Sequence, residues 1–80
     1  MNHLEEVTAV CALSGHQLKL KFKSGEDRLF DCTPYLNKGL FKALQNEAVF
    51  NQVRLCSGSI AWPGGLDLSP ETLFDRSIPF

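Results

Sequence analysis

The clearest hydrophobic and polar pattern in the chain lies in the segment QLKLKFK, residues 17–23. Apolar side chains at positions 18, 20 and 22 alternate strictly with three lysines. Because successive side chains of a strand point to opposite faces, this pattern predicts a half-buried β-strand. The preceding segment 6–13 is rich in valine and alanine and ends at Ser14-Gly15, so it predicts another strand and a tight turn.

A third strand is predicted over EDRLFDC, which follows a Ser-Gly turn and returns antiparallel to the second strand. If the loop has an odd number of residues, Phe30 and Cys32 share the apolar face of the second strand. Asp27 then meets Lys21 or a neighbour across the pair. An even loop would instead turn Asp27 and Asp31 toward that face. Burying unpaired carboxylates is costly, so the odd register is favoured.

The pattern changes to a helical period after Thr33, which forms a helix-start signal with Pro34. Apolar residues then recur at helical spacing over 34–45, and we expect them to pack in the core. These residues are Leu36, Leu40, Phe41 and Leu44. Asn37 and Gly39 weaken the first turn, so we expect a broken helical region.

A second short helical turn is predicted over EAVF, with Asn46 as its N-cap. It would place Val49, Phe50 and Val53 toward the sheet. Two further strands are predicted over 53–55 and 59–62, joined by a turn at Ser57-Gly58.

The segment WPGGLD predicts a sharp chain reversal, because Pro63 presets one φ angle and two glycines tolerate positive φ. Trp62 can bury its ring beside that reversal, but its indole N–H then needs an acceptor, such as a loop carbonyl or Asp67. We therefore interpret this corner as a structural feature rather than a reaction site.

A last helix is predicted from the run Ser69-Pro70-Glu71, which provides an N-cap, a first-turn proline and a first-turn carboxylate. It would extend through Phe74 and close the core. Together these elements predict one α+β domain over residues 1–80: an antiparallel sheet of about five strands, with short helices packed on one face.

Charge argues against a nucleic-acid-binding role, since eight Lys and Arg against nine Asp and Glu give a net charge of -1. The lysine stripe at 19, 21 and 23 is typical of a solvated sheet face, and the acidic third strand cancels its field. No apolar run approaches the roughly 20 residues that span a bilayer. We expect a cytoplasmic protein with no membrane or direct nucleic-acid partner.

Catalytic candidates are Asp67 or Asp31 as acid or base, and Cys32 or Cys56 as nucleophile with His16. They form none of the spacings that mark a serine nucleophile, a phosphate-binding loop or a zinc site. The three cysteines likewise show no disulfide or metal framework. The sequence therefore predicts a protein that is not an enzyme and binds no cofactor or metal.

The order GxIxWPxGxDLxPExLF, with the preceding hairpin, resembles the bacterial domain-of-unknown-function family 2442 over nearly the whole chain. The residues that carry the resemblance are Phe22, Gly25, Asp31, Phe50, Ile60, Trp62, Pro63, Gly65, Asp67, Leu68, Pro70 and Leu73. The resemblance implies a small α+β fold and no established reaction. Some members precede a helix-turn-helix domain, and others occur beside a second small protein in arrangements like toxin and antitoxin pairs.

The leading hypothesis is a non-catalytic protein-interaction or regulatory module that pairs with itself or with another small protein, as in a toxin-antitoxin-like pair. A small domain with free sheet edges favours association. The alternative is a small-molecule-binding domain or minor enzyme with a site near Trp62 and Asp67. The candidate signature residues, for binding or for structure, are Trp62, Pro63, Gly65, Asp67 and Asp31.

Overall fold

The alternating segments form an antiparallel meander of three strands. The structure, a computed structural model, describes residues 6–80, so residues 1–5 of the predicted domain lie outside the described residues. The three strands are β1 (Val7–Leu13), β2 (Gln17–Phe22) and β3 (Asp27–Asp31). Lys21 pairs with Asp27, and its Nζ lies 3.2 Å from Oδ1 of that carboxylate. The odd register is therefore confirmed.

One face of this meander is largely buried, as the register predicts. The apolar side chains of β2 and their neighbours on and after β3 are excluded from solvent. They are Leu18, Leu20, Phe22, Phe30 and Cys32. The opposite face carries Lys19 and Lys21, in agreement with the predicted solvated face.

The region after β3 is broken into two 3₁₀ segments, Thr33–Tyr35 and Gly39–Gln45. The break is confirmed, since Gly39, the first residue of the second segment, adopts a positive φ of 51°. Two details of the prediction are wrong. Thr33 is not a cap: its N–H instead donates to Asp31 Oδ1 at 3.0 Å. Leu40 is 74% exposed, because the tighter 3₁₀ turn does not keep it on the face of Leu44, which is buried.

Both short α-helices begin at the predicted caps. α1 (Glu47–Phe50) begins after Asn46, whose Oδ1 accepts from the N–H of Ala48 at 2.9 Å. α2 (Pro70–Arg76) begins after Ser69, whose Oγ accepts from the N–H of Thr72 at 3.2 Å. No helix in residues 6–80 is long and apolar enough to span a membrane.

The remaining strands complete two separate sheets. They are β4 (Arg54–Cys56), β5 (Ser59–Trp62), β6 (Leu66–Leu68) and β7 (Ile78–Pro79). One sheet has the order β1-β2-β3-β7 and the other β4-β5-β6. The α+β class is confirmed, with the strands divided between two antiparallel sheets. The additional strands β6 and β7 have three and two residues, too few for a periodic pattern.

A single apolar core lies between the inner faces of the two sheets. The meander contributes the buried face described above, and β5 and β6 contribute Ile60, Trp62 and Leu66. The helical segments add Leu44, Phe50 and Leu73, while Val49, Val53, Leu68 and Phe74 pack around its rim. The N–H of Val7 donates to the carbonyl of Gly58 at 2.8 Å, which joins the start of β1 to the second sheet.

Arg28 joins β3 to the end of α2 in a contact that we call the Arg28 clasp. Its Nε donates to Ser77 Oγ at 2.6 Å, and its Nη2 donates to the Ser77 carbonyl at 2.7 Å. Nη1 pairs with Glu26 at 2.6 Å, and the guanidinium lies 4.4 Å from the centre of the Phe74 ring. The largely buried cation is thus fully engaged, and it fixes β7 against β3.

Candidate functional site

The Pro-Gly-Gly turn joins β5 to β6 with Trp62 and Leu66 as the last directly paired residues. Gly64 and Gly65 have φ angles of 94° and 88°, which side-chain-bearing residues rarely adopt. A Cβ at either position would meet nothing within 4 Å. The glycines are therefore needed for the backbone conformation, and not to admit a neighbouring group.

Trp62 is completely excluded from solvent. Its indole Nε1 donates to the carbonyl of Phe50 at 2.9 Å, so the acceptor is a main-chain carbonyl at the end of α1. The ring also stacks on Phe50, with centroids 6.0 Å apart and 30° between the planes. Trp62 thus anchors β5 to α1 and offers no surface to a ligand.

Asp67 lies on β6 directly opposite Ala61, whereas Trp62 lies opposite Leu66. Because side chains alternate along a strand, Asp67 points to the face opposite Trp62. Its carboxylate is exposed and accepts no hydrogen bond within residues 6–80. The helix cap is supplied by Ser69, so Asp67 neither caps α2 nor shares a cavity with the indole.

Asp31 is the last residue of β3, where its carboxylate has a structural role. Its Oδ1 accepts the N–H of Thr33 and so starts the first 3₁₀ turn. The adjacent Cys32 is buried, and burial together with the Asp31 charge raises the pKa of its thiol to about 12. A thiol with that pKa stays protonated at neutral pH and is a poor nucleophile.

Of the predicted partners of His16, Cys32 lies beside it and donates its N–H to the His16 carbonyl at 3.0 Å, whereas Cys56 lies on the other sheet. Cys11 is exposed on β1 and Cys56 is exposed on β4, in different sheets. His16 packs edge-on against Phe50 with centroids 5.0 Å apart, and its Nε2 has no hydrogen-bond partner among residues 6–80. In the same range, no three His, Cys, Asp or Glu side chains cluster in a way that would hold a metal ion.

Two open grooves border Asp67. One, of about 420 Å³, is lined by residues of the second 3₁₀ segment together with Gly65 and Leu66, and Lys38 lies beside it. The other, of about 360 Å³, runs between Cys56 and Pro70. Trp62 borders neither groove. Trp62 therefore lies in the core and Asp67 on the surface, so the two residues do not form the pocket that the sequence suggested.

β1 is an edge strand, and one of its two sides faces no other strand of residues 6–80. On β2, the residues at even positions bond to β3, since Phe22 N–H donates to the Glu26 carbonyl and Cys32 N–H donates to the His16 carbonyl, both at 3.0 Å. Hydrogen-bonding direction alternates along an antiparallel strand. The odd positions of β2 therefore bond to β1.

This alternation determines which backbone groups of β1 face outward. Cys11 pairs with Lys19, so its backbone groups are directed to β2. Those of Val10 and Ala12 point away from the sheet, and we call these four groups the β1 edge. Within residues 6–80, the one hydrogen bond to any of them, apart from backbone bonds within the sheet, is a long 3.8 Å approach of Cys11 Sγ to the Ala12 carbonyl. Sequence reasoning expected free sheet edges without assigning this one.

The comparison with protein families identifies a family that covers nearly the whole chain. The model of a family described as protein of unknown function (DUF2442) matches residues 7–79. The chain belongs to the DUF2442 family. No curated protein and no solved structure matches it significantly.

Membership in DUF2442 confirms the resemblance seen in the sequence and assigns no reaction. The matched range extends from the first residue of β1 to the last residue of β7, so it takes in both sheets. The chemistry of this DUF2442 chain must therefore be inferred from its own surface.

Proposed function

We propose that this DUF2442 protein is a non-catalytic interaction module that acts by pairing with itself or with another small protein. The observation that carries the proposal is the β1 edge. β1 is seven residues long and has no charged side chain, and its backbone groups at Val10 and Ala12 pair with no other strand of residues 6–80. A long, uncharged edge strand is a ready template for another strand.

Exposed apolar side chains on the same sheet support the proposal. Ile78 is 59% exposed and Phe80 is 64% exposed, although β7 folds back onto β3 and the N–H of Phe80 donates to the Asp27 carbonyl at 3.1 Å. Phe80 stands beside Lys19, whose Nζ lies 4.8 Å from the centre of the Phe80 ring. A partner that covers this face would remove apolar area from water.

The arrangement of the signature residues supports a non-catalytic role. The indole of Trp62 is buried in the core, and the raised pKa of Cys32 keeps it protonated. Asp67 lies on the sheet face opposite Trp62. A regulatory role within a two-protein pair, of the toxin and antitoxin kind, is the form of this proposal that the family resemblance favours. In that form the partner of the module is another small protein.

Two measurements test the proposal. Sedimentation equilibrium from micromolar to millimolar concentration measures self-association, and affinity capture of the tagged chain from its native cells measures pairing with a different protein. We expect a concentration-dependent dimer, a stoichiometric copurifying protein, or both. A strict monomer throughout, with no stoichiometric companion, would contradict the proposal.

A further inference from the structure

The geometry of the β1 edge restricts which strand can join it. In an antiparallel pair, a residue whose backbone N–H and C=O point toward the other strand lies opposite a residue whose own N–H and C=O point back toward it. The β1 strand of a second copy can therefore pair with the first only if Val10 and Ala12 lie opposite residues whose backbone groups also point outward. Registers shifted by one position are excluded, because they would oppose inward-directed and outward-directed groups.

One register uses all of the open groups. If Val10 faces Ala12 of the second copy, then Ala12 faces Val10, and four hydrogen bonds form between the strands. If Val10 instead faces Val10, Ala12 must pair near Thr8, where the ladder with β2 shifts register. We propose, resting on the proposed function above, that the partner is a second copy of this chain, joined β1 to β1 about a two-fold axis at Cys11.

The charges near the β1 edge are compatible with the proposed pairing. None of the seven residues of β1 is charged, so the two strands place no like charges opposite each other. The Lys19 residues of the two copies would be three strand spacings apart, roughly 14 Å. This exceeds the Debye length of about 8 Å at physiological ionic strength.

The blocked start of β1 also agrees with this register. The outward N–H of Val7 is occupied by the carbonyl of Gly58, so a long partner strand running past Val7 would have to displace it. In the proposed register, Val7 lies opposite Gly15 of the second copy, in the turn after its β1. The two four-stranded sheets then form one continuous sheet of eight strands.

Because the two-fold axis places Cys11 of one copy opposite Cys11 of the other, crosslinking of Cys11 can detect the proposed interface. Directly opposed residues between hydrogen-bonded pairs have Cα atoms about 4.5 Å apart. That distance lies within the range of roughly 4.4–6.8 Å found in disulfides. Cys11 is exposed, so a reagent can reach it in the free chain.

The main experiment is oxidative crosslinking with diamide in a Cys56→Ser background. Two Cys11 thiols lose two protons and two electrons to form one S–S bond, and diamide accepts them to become the hydrazine. We expect a covalent dimer joined through Cys11, identified by peptide mass spectrometry. The matched control Cys11→Ser, with Cys56 retained, should form no such dimer at the same concentration.

A second pair of variants tests the register. In a background with Cys11→Ser and Cys56→Ser, the variants Ala9→Cys and Leu13→Cys are oxidised separately and as a mixture. The proposed register places position 9 opposite position 13 of the other copy. We therefore expect crosslinking in the mixture and little in either variant alone; self-crosslinking of Ala9→Cys would overturn the register.

Association without crosslinking is measured with Cys11→Lys, which places two like charges across the axis at an exposed position. We expect about a tenfold rise in the dimer dissociation constant and unchanged circular dichroism, whereas Cys11→Ser changes neither. If the chain dimerises but its dissociation constant is unchanged by Cys11→Lys and no Cys11 crosslink forms, this inference is wrong and the proposed function still stands. Pairing with a different protein alone has the same consequence, and a strict monomer with no companion overturns both.

Discussion

Trp62 at the β5–β6 corner is fully buried and hydrogen-bonded, whereas Val10 and Ala12 on β1 leave their backbone groups without a strand partner within residues 6–80. The corner contains the residues that attract attention in the sequence, and the edge contains valines and alanines. The contrast teaches that residue type indicates which side chains stabilise the fold. Which backbone groups are left open for a partner strand depends instead on the order of strands in the sheet. Changes at the corner should therefore alter stability, and changes at the edge should alter association.

The largest effect is expected for Trp62→Ala, which removes the stacked ring and the donor to Phe50. We expect the free energy of unfolding to fall by about 3–5 kcal/mol in urea denaturation followed by circular dichroism. Trp62→Phe is the matched control, because it keeps a ring and removes only the indole donor. The Phe50 carbonyl still accepts the N–H of Val53 at 3.3 Å, so we expect a smaller loss of about 1 kcal/mol. Unchanged stability of Trp62→Ala would show that the corner is not an anchor.

The next effect concerns pH and distinguishes buried Cys32 from exposed Cys11. Burial raises the pKa of Cys32 from 9.0 to about 12, so the folded state holds its proton after the unfolded chain has lost it. Stability from this group is complete below pH 9 and declines as pH rises toward 12, by at most about 1.4 kcal/mol per pH unit.

The measurement for Cys32 is the free energy of unfolding as a function of alkaline pH, compared with Cys32→Ala. Other groups titrate in both proteins, so the difference between the two curves isolates the thiol. We expect that difference to shrink as pH rises. Parallel curves would contradict the assignment.

A smaller effect is expected for Gly65→Ala, since the residue adopts a φ of 88° and a Cβ there would meet no neighbour within 4 Å. The loss is therefore conformational, roughly 1–2 kcal/mol in unfolding free energy. Gly65→Asn provides the comparison, because asparagine tolerates positive φ better and should lose less. Equal losses for both would indicate a steric cause that the structure does not show.

The smallest effect is expected for Asp67→Asn. Its carboxylate is exposed and makes no hydrogen bond within the described chain, so unfolding free energy should change by less than about 0.5 kcal/mol. The dissociation constant of the proposed dimer should also stay unchanged, since Asp67 lies on the other sheet from β1. A marked change in association would move the interaction surface from the β1 edge to the second sheet.

Local signals in the sequence were sufficient for much of the fold. The alternation in β2 and the cost of burying Asp27 predicted the hairpin register, and Asn46 and Ser69 were recognised as caps because their partners lie two or three residues away. Trp62 was expected to need a buried acceptor. The register and the caps depend on neighbours in sequence, and the need of Trp62 for an acceptor follows from its residue type.

Features that depend on distant residues were not predictable in this way. Ser77 is 49 residues from Arg28, so no local pattern connects them. The exposure of Leu40 follows from a 3₁₀ turn that helical spacing does not anticipate. The open groups of Val10 and Ala12 depend on the order of strands in the sheet, which no residue type encodes.

The Arg28 clasp has a consequence for the order of folding. The β1–β2–β3 meander closes short loops, whereas the pairing of Arg28 with Pro79 must bring together segments about fifty positions apart. Contacts across long loops form late and are the first to open. We therefore expect the amide of Phe80 to exchange with deuterium well before those of β2, with the terminal strand peeling away while the meander stays intact.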